Sequence, residues 1–149
     1  MKESLHIEGL EEVKRVMKKS SDDSKKRRTL LKALRHGAIP TRQAMKMGTP
    51  VRTGNLRDSI STITGKGGRD GIGAASVTVG AKVKKRRSKK RPKNDGYYIG
   101  WVIRGHKKRG GGTTAPNDFL TPAFNSTKDI AVERIVDKLI KDVLEKNWK

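Results

Sequence analysis

The chain has 149 residues, of which 32% are hydrophobic and 4% aromatic, and it carries a formal net charge of +21 at pH 7. This length fits one domain over residues 1–149 with a modest core, and the charge predicts attraction to polyanions. Nucleic acid, an acidic protein surface and anionic lipid all qualify. The lack of cysteine excludes a disulfide framework and thiolate chemistry.

Membrane insertion and secretion are not indicated. No apolar run approaches the roughly 18 residues that suggest a membrane-spanning helix. Residues 1–10 lack the apolar core of a signal peptide. We therefore expect a soluble intracellular protein without a membrane partner.

The first fifty residues are predicted to be mainly helical. Residues 4–8 alternate between apolar and polar and indicate a short strand, whereas apolar residues recur at helical spacing over 10–19. N-cap candidates at 22–24 precede a second helix. Pro40 should kink or break this helix near 37–40, after which helix is expected to resume.

The string Pro-Val-Arg-Thr-Gly-Asn-Leu-Arg-Asp-Ser-Ile at 50–60 marks a change from helix to strand. Gly48 is a natural C′ residue with positive φ, and Pro50 prevents helix from resuming. Residues 53–55 have turn chemistry. Residues 56–64 are polar and β-branched, which predicts a strand with one solvated face.

Two more strands are predicted after a glycine-rich loop at 65–73. Residues 75–83 show the cleanest apolar alternation in the chain. Residues 97–104 are apolar on both faces, which predicts a fourth strand that is central or buried against another subunit. A second flexible, glycine-rich stretch follows at 105–117.

The final helix is predicted to begin near Thr121, a fair N-cap, with Pro122 in the first turn. Apolar residues form a wide stripe over 135–144. The element order β-α-α-β-β-β-α indicates an α+β fold. We expect an antiparallel sheet of about four strands packed on long N-terminal and C-terminal helices, with a protruding basic hairpin.

Catalysis has little support in this sequence. His6, His36 and His106 are far apart and show no ligand-like spacing. Paired carboxylates occur only where helices begin, a position that favours negative charge. Nucleophile-elbow, zinc-protease and phosphate-loop motifs are missing. We therefore expect no enzyme activity, no metal site and no cofactor.

Residues 82–93, here called the basic segment, hold nine positive charges and no negative charge. Because like charges at this density repel, residues 82–95 are expected to form a flexible hairpin insertion. A nuclear localisation signal, sequence-neutral phosphate contact, docking on an acidic protein and a solvated tip without a partner all fit this pattern. The candidate contact residues are Lys82, Lys84, Lys85, Arg86, Arg87, Lys89, Lys90, Arg91 and Lys93.

A second string, Asp-Phe-Leu-Thr-Pro-Ala-Phe at 118–124, makes the string at 50–60 more informative. The ordered pair resembles the tail-completion, or head–tail joining, proteins of lambda-like long-tailed bacteriophages. In that family the first string ends the long helix and starts the sheet, and the second starts the last helix. The matching scaffold positions are Pro50, Arg52, Thr53, Gly54, Leu56, Phe119, Leu120, Pro122 and Ala123.

The resemblance implies a virion structural protein, made in the bacterial host cytoplasm and located at the head–tail junction. It implies a homo-oligomeric ring, expected to be hexameric, that completes the tail and joins it to the DNA-filled head. The implied partners are a tail terminator or tail tube protein, a head-closure or adaptor protein, and packaged DNA in the channel.

The functional surface is expected away from the two strings, which serve to fix the angle between helix and sheet. The doubly apolar segment and the basic stretch after it supply candidates for subunit contacts: Tyr98, Trp101, Ile103, Lys107, Lys108 and Arg109. The alternative, which follows from charge alone, is a sequence-neutral nucleic-acid-binding basic protein.

Overall fold

A computed structural model of the chain describes residues 9–20, 22–65, 75–84 and 93–145. The strand predicted at 4–8 lies outside these residues, as does most of the loop predicted at 65–73. The described elements are α1 (Leu10–Lys19), α2 (Asp23–Gly48), α3 (Asn55–Ser59), β1 (Ile60–Thr64), β2 (Val77–Ala81), α4 (Ile99–Arg104), β3 (His106–Lys107), β4 (Thr113–Thr114) and α5 (Leu120–Ile140), which a π-helical turn (Lys141–Glu145) continues.

Helices α2 and α5 form a long antiparallel pair at the centre of the fold. Residues four apart share a helix face, so each helix presents one ridge to the other. The α2 ridge is buried and consists of Thr29, Ala33, Gly37, Thr41 and Met45. The α5 ridge consists of Ala123, Thr127, Ala131, Ile135 and Leu139.

Small residues let the two helices approach closely near their midpoints. A Cβ atom at Gly37 would lie 2.6 Å from the backbone oxygen of Ala131. The hydroxyls of Thr41 and Thr127 share a buried hydrogen bond of 2.9 Å, and Thr127 also donates to the backbone oxygen of Ala123. Helices α2 and α5 therefore lie closer together than they could if these positions held larger side chains.

Of the kink or break predicted near 37–40, the break is wrong, because α2 continues through Pro40 as one helix. A proline inside a helix removes one backbone hydrogen bond and costs about 3 kcal/mol. Gly37 and Thr41, on either side of the proline, are both buried against α5. This packing holds the helix together where its local sequence favours a stop.

The end of α2 also differs from the prediction. Gly48 is the last helical residue and does not take a positive φ. The helix ends at Thr49, whose buried hydroxyl donates to the backbone oxygen of Met45 at 2.6 Å. A Cβ atom at Gly48 would lie 3.3 Å from Cβ of Phe119, so close packing accounts for glycine here.

The strand predicted at 56–64 begins as the helical turn α3 and becomes β1 only at Ile60. Gly54, with φ 76, starts this turn and accepts a hydrogen bond from Asp58 N. The Ser59 hydroxyl donates to the backbone oxygen of Leu56 at 2.7 Å. Because these local hydrogen bonds favour a helical turn, the strand begins four residues later than predicted.

The predicted four-stranded sheet is wrong. Strands β1 and β2 form one antiparallel pair, with Ile60 opposite Ala81, and β3 and β4 form a second pair, with His106 opposite Thr114. An isolated pair of strands is marginally stable in water. The first pair packs on α2, which supplies the missing support. The fold therefore remains α+β, with helices dominant.

The predicted fourth strand is helix α4. Tyr98, Ile99, Val102 and Ile103 all pack on the same side, against the core. This i, i+1, i+4, i+5 pattern is helical, and over a short apolar stretch it also fits a strand that is apolar on both faces. Gly105, with φ 71, ends the helix.

The core has two clusters, one at each end of the α2–α5 pair. The first joins the two strings found in the sequence, because Leu56 and Ile60 meet Phe119, Ala123 and Met45 there. The second cluster packs α1 against the other end through Val13, Ala33, Leu139 and Val143. The apolar stripe predicted at 135–144 is confirmed by this cluster.

Helix α5 begins at Leu120, one residue before the N-cap predicted at Thr121, and Pro122 lies in its first turn as predicted. The Asp118 carboxylate accepts hydrogen bonds from the backbone N–H groups of Leu120 and Thr121, at 3.0 and 3.2 Å. Hydrogen bonds from the side chain and backbone of Thr121 hold the pKa of Asp118 below its ordinary value of 3.8.

We expect Asp118→Ala to lower the melting temperature at neutral pH, because two N–H groups at the start of α5 lose their acceptor. A lowered folded-state pKa gives stability that is complete above about pH 3.8 and is lost as the pH falls through the folded-state value. The difference from wild type should therefore vanish in strong acid. Thermal melts across this range test the prediction, and a difference that persists in acid would contradict it.

Candidate interaction site at an aromatic cleft

A cleft of about 890 Å³ lies between the string at 50–56 and helix α4. The structure therefore brings together two regions that sequence reasoning treated separately, the scaffold string and the candidate subunit contacts. The residues that line the cleft are Pro50, Val51, Arg52, Thr53, Gly54, Asn55, Leu56, Lys93, Asp95, Tyr97, Tyr98, Trp101, Val102, His106, Lys108, Thr114, Ala115 and Asn117.

One wall of the cleft is aromatic. Tyr97 packs edge-on against Tyr98 and Trp101, with ring centroids 5.2 and 5.8 Å apart. Trp101 is 56% exposed, and Val51 on the opposite wall is 59% exposed. Large exposed apolar side chains beside a cavity are typical of protein interaction sites. We call this feature the aromatic cleft.

The candidate contact residues fall into two groups in the structure. Tyr98 and Ile103 are partly buried against the first core cluster and hold α4 in place. Trp101 is exposed in the aromatic cleft. Lys107, Lys108 and Arg109 are all exposed on the β3–β4 hairpin, where Lys108 N donates to Gly112 O at 3.0 Å.

The two ends of the basic segment are hydrogen-bonded to each other where they join the fold. Gly96 N donates to Lys82 O at 3.1 Å, Lys84 N donates to the Asp95 carboxylate at 3.1 Å, and Lys84 Nζ donates to Lys93 O at 2.7 Å. Residues 85–92 lie outside the described residues, and with them Lys85, Arg86, Arg87, Lys89, Lys90 and Arg91.

Helix α3 fixes the base of the basic segment. Lys82 N donates to Ser59 O at 2.9 Å, and Asn94 N lies 3.5 Å from Oδ1 of Asn55. A Cβ atom at Gly96 would lie 2.7 Å from the Ser59 hydroxyl, so only glycine lets the backbone at 96 lie this close to Ser59. The segment thus emerges beside the aromatic cleft, which Lys93 also lines.

A second cationic surface lies on α2, and sequence reasoning missed it. The helix carries eight lysines and arginines against one acid. Arg28, Lys32, Arg35, Arg42 and Lys46 recur at helical spacing on the face opposite the buried ridge. The signal that could have found it is the spacing of these cations in the sequence.

Three of these cations, Lys32, Arg35 and Arg42, line a groove of about 540 Å³, here called the α2 groove. Arg35 donates to the hydroxyl of Thr64 through Nη2 at 2.8 Å and through Nε at 3.2 Å, which fixes its guanidinium beside β1. None of the described residues that line the groove is acidic. These residues are Lys32, Arg35, His36, Ile39, Arg42, Thr62, Thr64 and Lys138.

Within the described ranges, no group of three or more His, Asp or Glu side chains could hold a metal ion. No helix in the described part of the chain is long and apolar enough to cross a membrane.

Comparison with known families identifies the chain. Residues 9–106, about two thirds of it, match the family model described as "Bacteriophage HK97-gp10, putative tail-component". The chain belongs to this family of phage tail components. No curated protein and no solved structure matches the chain significantly.

The family match confirms the resemblance on which the sequence interpretation depended. It covers the string at 50–60, both walls of the aromatic cleft and the cations that α2 gives to its groove. The second string, at 118–124, lies beyond the matched residues. The protein is therefore a structural component of a bacteriophage tail, and most of the residues that line the aromatic cleft and the α2 groove lie within the matched part.

Proposed function

We propose that this tail component forms a ring at the head–tail junction, completes the tail and joins it to the DNA-filled head. The observation that supports this role is the presence of two different surfaces on one small tail component. The aromatic cleft is typical of contact with protein, whereas the α2 groove is typical of contact with a polyanion. A tail component needs both where the tail meets packaged DNA.

Within this proposal the subunits assemble head-to-tail into a closed ring, expected to be hexameric. One face of the ring contacts a tail terminator or tail tube protein, and the other contacts a head-closure or adaptor protein. Trp101 and the hairpin that carries Lys107, Lys108 and Arg109 are the candidates for contacts between proteins. The protein is then part of the virion at its neck.

The basic segment and the α2 groove supply the contact with DNA in this proposal. Their cations neutralise phosphates without reading bases, so packaged DNA of any sequence fits. The basic segment instead serves a protein contact if it meets an acidic face of a neighbouring ring.

A phage with a nonsense codon in this gene tests the role. We expect filled heads and tails of normal length to accumulate separately, and purified protein to restore joining in the extract. Absence of tail tubes, or heads already joined to tails, would contradict the proposal. Electron micrographs of the lysate distinguish these outcomes.

A second candidate function is sequence-neutral nucleic-acid binding by the isolated chain. The acid-free lining of the α2 groove favours it, together with the net charge of +21. The two functions are compatible, because a ring subunit can carry both surfaces.

A further inference from the structure

We propose that the aromatic cleft is the docking site for an acidic segment of a neighbouring neck protein, which inserts an apolar anchor side chain between the string at 50–56 and helix α4. The proposal depends on the proposed ring at the head–tail junction. It states what kind of protein segment one surface of that ring would bind.

The shape and lining of the cleft suit an apolar anchor. Its volume of about 890 Å³ falls in the range of sites that hold a ligand or a group of side chains. Val51 and Val102 supply aliphatic surface, and Tyr97 and Trp101 supply rigid aromatic surface. Tryptophan and tyrosine are the residues most enriched where binding energy concentrates.

The charges around the cleft favour an acidic partner. Arg52, Lys93 and Lys108 line it, and the only acid among its described lining residues is Asp95. Asp95 is 3% exposed and accepts a hydrogen bond from Lys84 N. Its carboxylate is therefore buried and presents little negative charge to a ligand in the cleft. A partner with carboxylates on both sides of its anchor would complement the three cations.

Other occupants fit less well. A second copy of the chain would have to bring an acidic segment to this cationic rim, and its two pairs of adjacent acids, Glu11-Glu12 and Asp22-Asp23, each have a lysine two residues later. A single-stranded nucleic acid needs faces on which successive bases can stack. Here Tyr97 stands edge-on to Tyr98 and Trp101, with interplanar angles of 74° and 83°, so the neighbouring rings do not form parallel faces.

Peptide selection on the full-length chain tests the proposal. The chain has two tryptophans, so Trp148→Phe leaves Trp101 as its only tryptophan, and peptides without tryptophan keep the indole emission specific to Trp101. Random displayed peptides selected on this protein should be enriched in an aromatic or leucine residue flanked by Asp and Glu. Synthetic copies of the selected peptides should shift the emission of Trp101 to shorter wavelength, because burial removes the indole from water.

Matched variants separate the cleft from the rest of the surface. Trp101→Ala should weaken binding of the selected peptides about tenfold or more, as expected for a central aromatic anchor. Because this variant lacks the tryptophan reporter, the anisotropy of a dye-labelled peptide measures its binding. Phe124→Ala is the control, since Phe124 is 54% exposed and does not line the cleft. Lys108→Glu should weaken binding more than Lys107→Glu, because the neighbouring Lys107 makes the same charge change outside the lining.

The proposal fails if the selected peptides lack acids or bind the Trp101→Ala protein equally well. It also fails if oligothymidylate shifts Trp101 emission and the peptides do not, or if sedimentation shows self-association that Trp101→Ala abolishes. A virion map with this chain at the neck and the cleft open would overturn the docking proposal alone. Peptide binding by a chain that lies elsewhere in the virion would overturn the ring alone.

Discussion

Gly37→Ala is expected to destabilise the protein by about 2 kcal/mol, the cost typical of overpacking a close contact. The same change at an exposed helix position stabilises by about 1 kcal/mol, because glycine is the weaker helix former. The sign of the effect therefore tests the packing of α2 on α5. Denaturant unfolding of the two proteins measures it.

The close approach of the two helices is the reason for this sign. The added Cβ would lie 2.6 Å from the backbone oxygen of Ala131 and would also meet the side chain of Ile135. A flexible side chain can move aside, but a helix carbonyl moves only with its helix. Gly37→Leu should be worse, with a loss of about 3 kcal/mol or more, since it adds further atoms to the same contact.

Gly80→Ala serves as the control for a general effect of replacing glycine. A Cβ atom at Gly80, on strand β2, would meet nothing within 4 Å. This variant should be as stable as wild type or more stable by up to about 1 kcal/mol. If Gly37→Ala is equally neutral or stabilising, the two helices do not pack as closely as described.

Replacing Lys32, Arg35 and Arg42 by glutamine is expected to weaken binding to duplex DNA on the order of a hundredfold at moderate salt. Each phosphate contact contributes about 0.9 to the slope of log K against log salt. Loss of three contacts should therefore reduce that slope by about 2.7. Fluorescence anisotropy with a labelled duplex over a range of salt concentrations measures both quantities.

A second triple variant makes the test specific to the α2 groove. Arg15, Lys18 and Lys19 are exposed on α1 and do not line the groove, and their replacement by glutamine makes the same change in net charge. This control should reduce the slope much less. Equal losses from the two triple variants would mean that DNA responds to total charge, and the groove would lose its proposed role.

The long helices were predictable because their apolar periodicity is strong. The ranges expected for α1 and the second half of α5 agree with the structure, and the N-cap region at 22–24 contains Asp22, whose carboxylate accepts from Lys25 N at 2.9 Å. The continuity of α2 through Pro40 was not predictable, since it depends on packing against α5, where Thr41 meets Thr127, 86 residues later in the chain.

The errors at the sheet have one physical cause. A short apolar run fits both a strand and a helix, so the pattern at 97–104 predicts a strand where the structure forms α4. Without that strand the expected sheet divides into two pairs, β1–β2 and β3–β4. Tertiary contact with the first core cluster selects the helix, and local sequence alone could not show it.

The candidate site was only partly predictable. The sequence indicated Trp101 and the string at 50–56 separately. It could not show that they line the same cleft, because that depends on how α3 and α4 fold. The α2 groove could have been found from the spacing of Lys32, Arg35 and Arg42 on the polar face of an amphipathic helix. The contact of this groove with β1 could not have been found in the same way, because it depends on how the β1–β2 hairpin packs on α2.

A cryo-EM reconstruction of the virion neck tests the central claim most directly. The account predicts a closed ring of this chain between tail and head, with Trp101 covered by a neighbouring protein. It also predicts that the α2 groove or the basic segment faces the DNA channel. A map that places the chain along the tail tube or at the distal tail tip, or that lacks it altogether, would contradict the account.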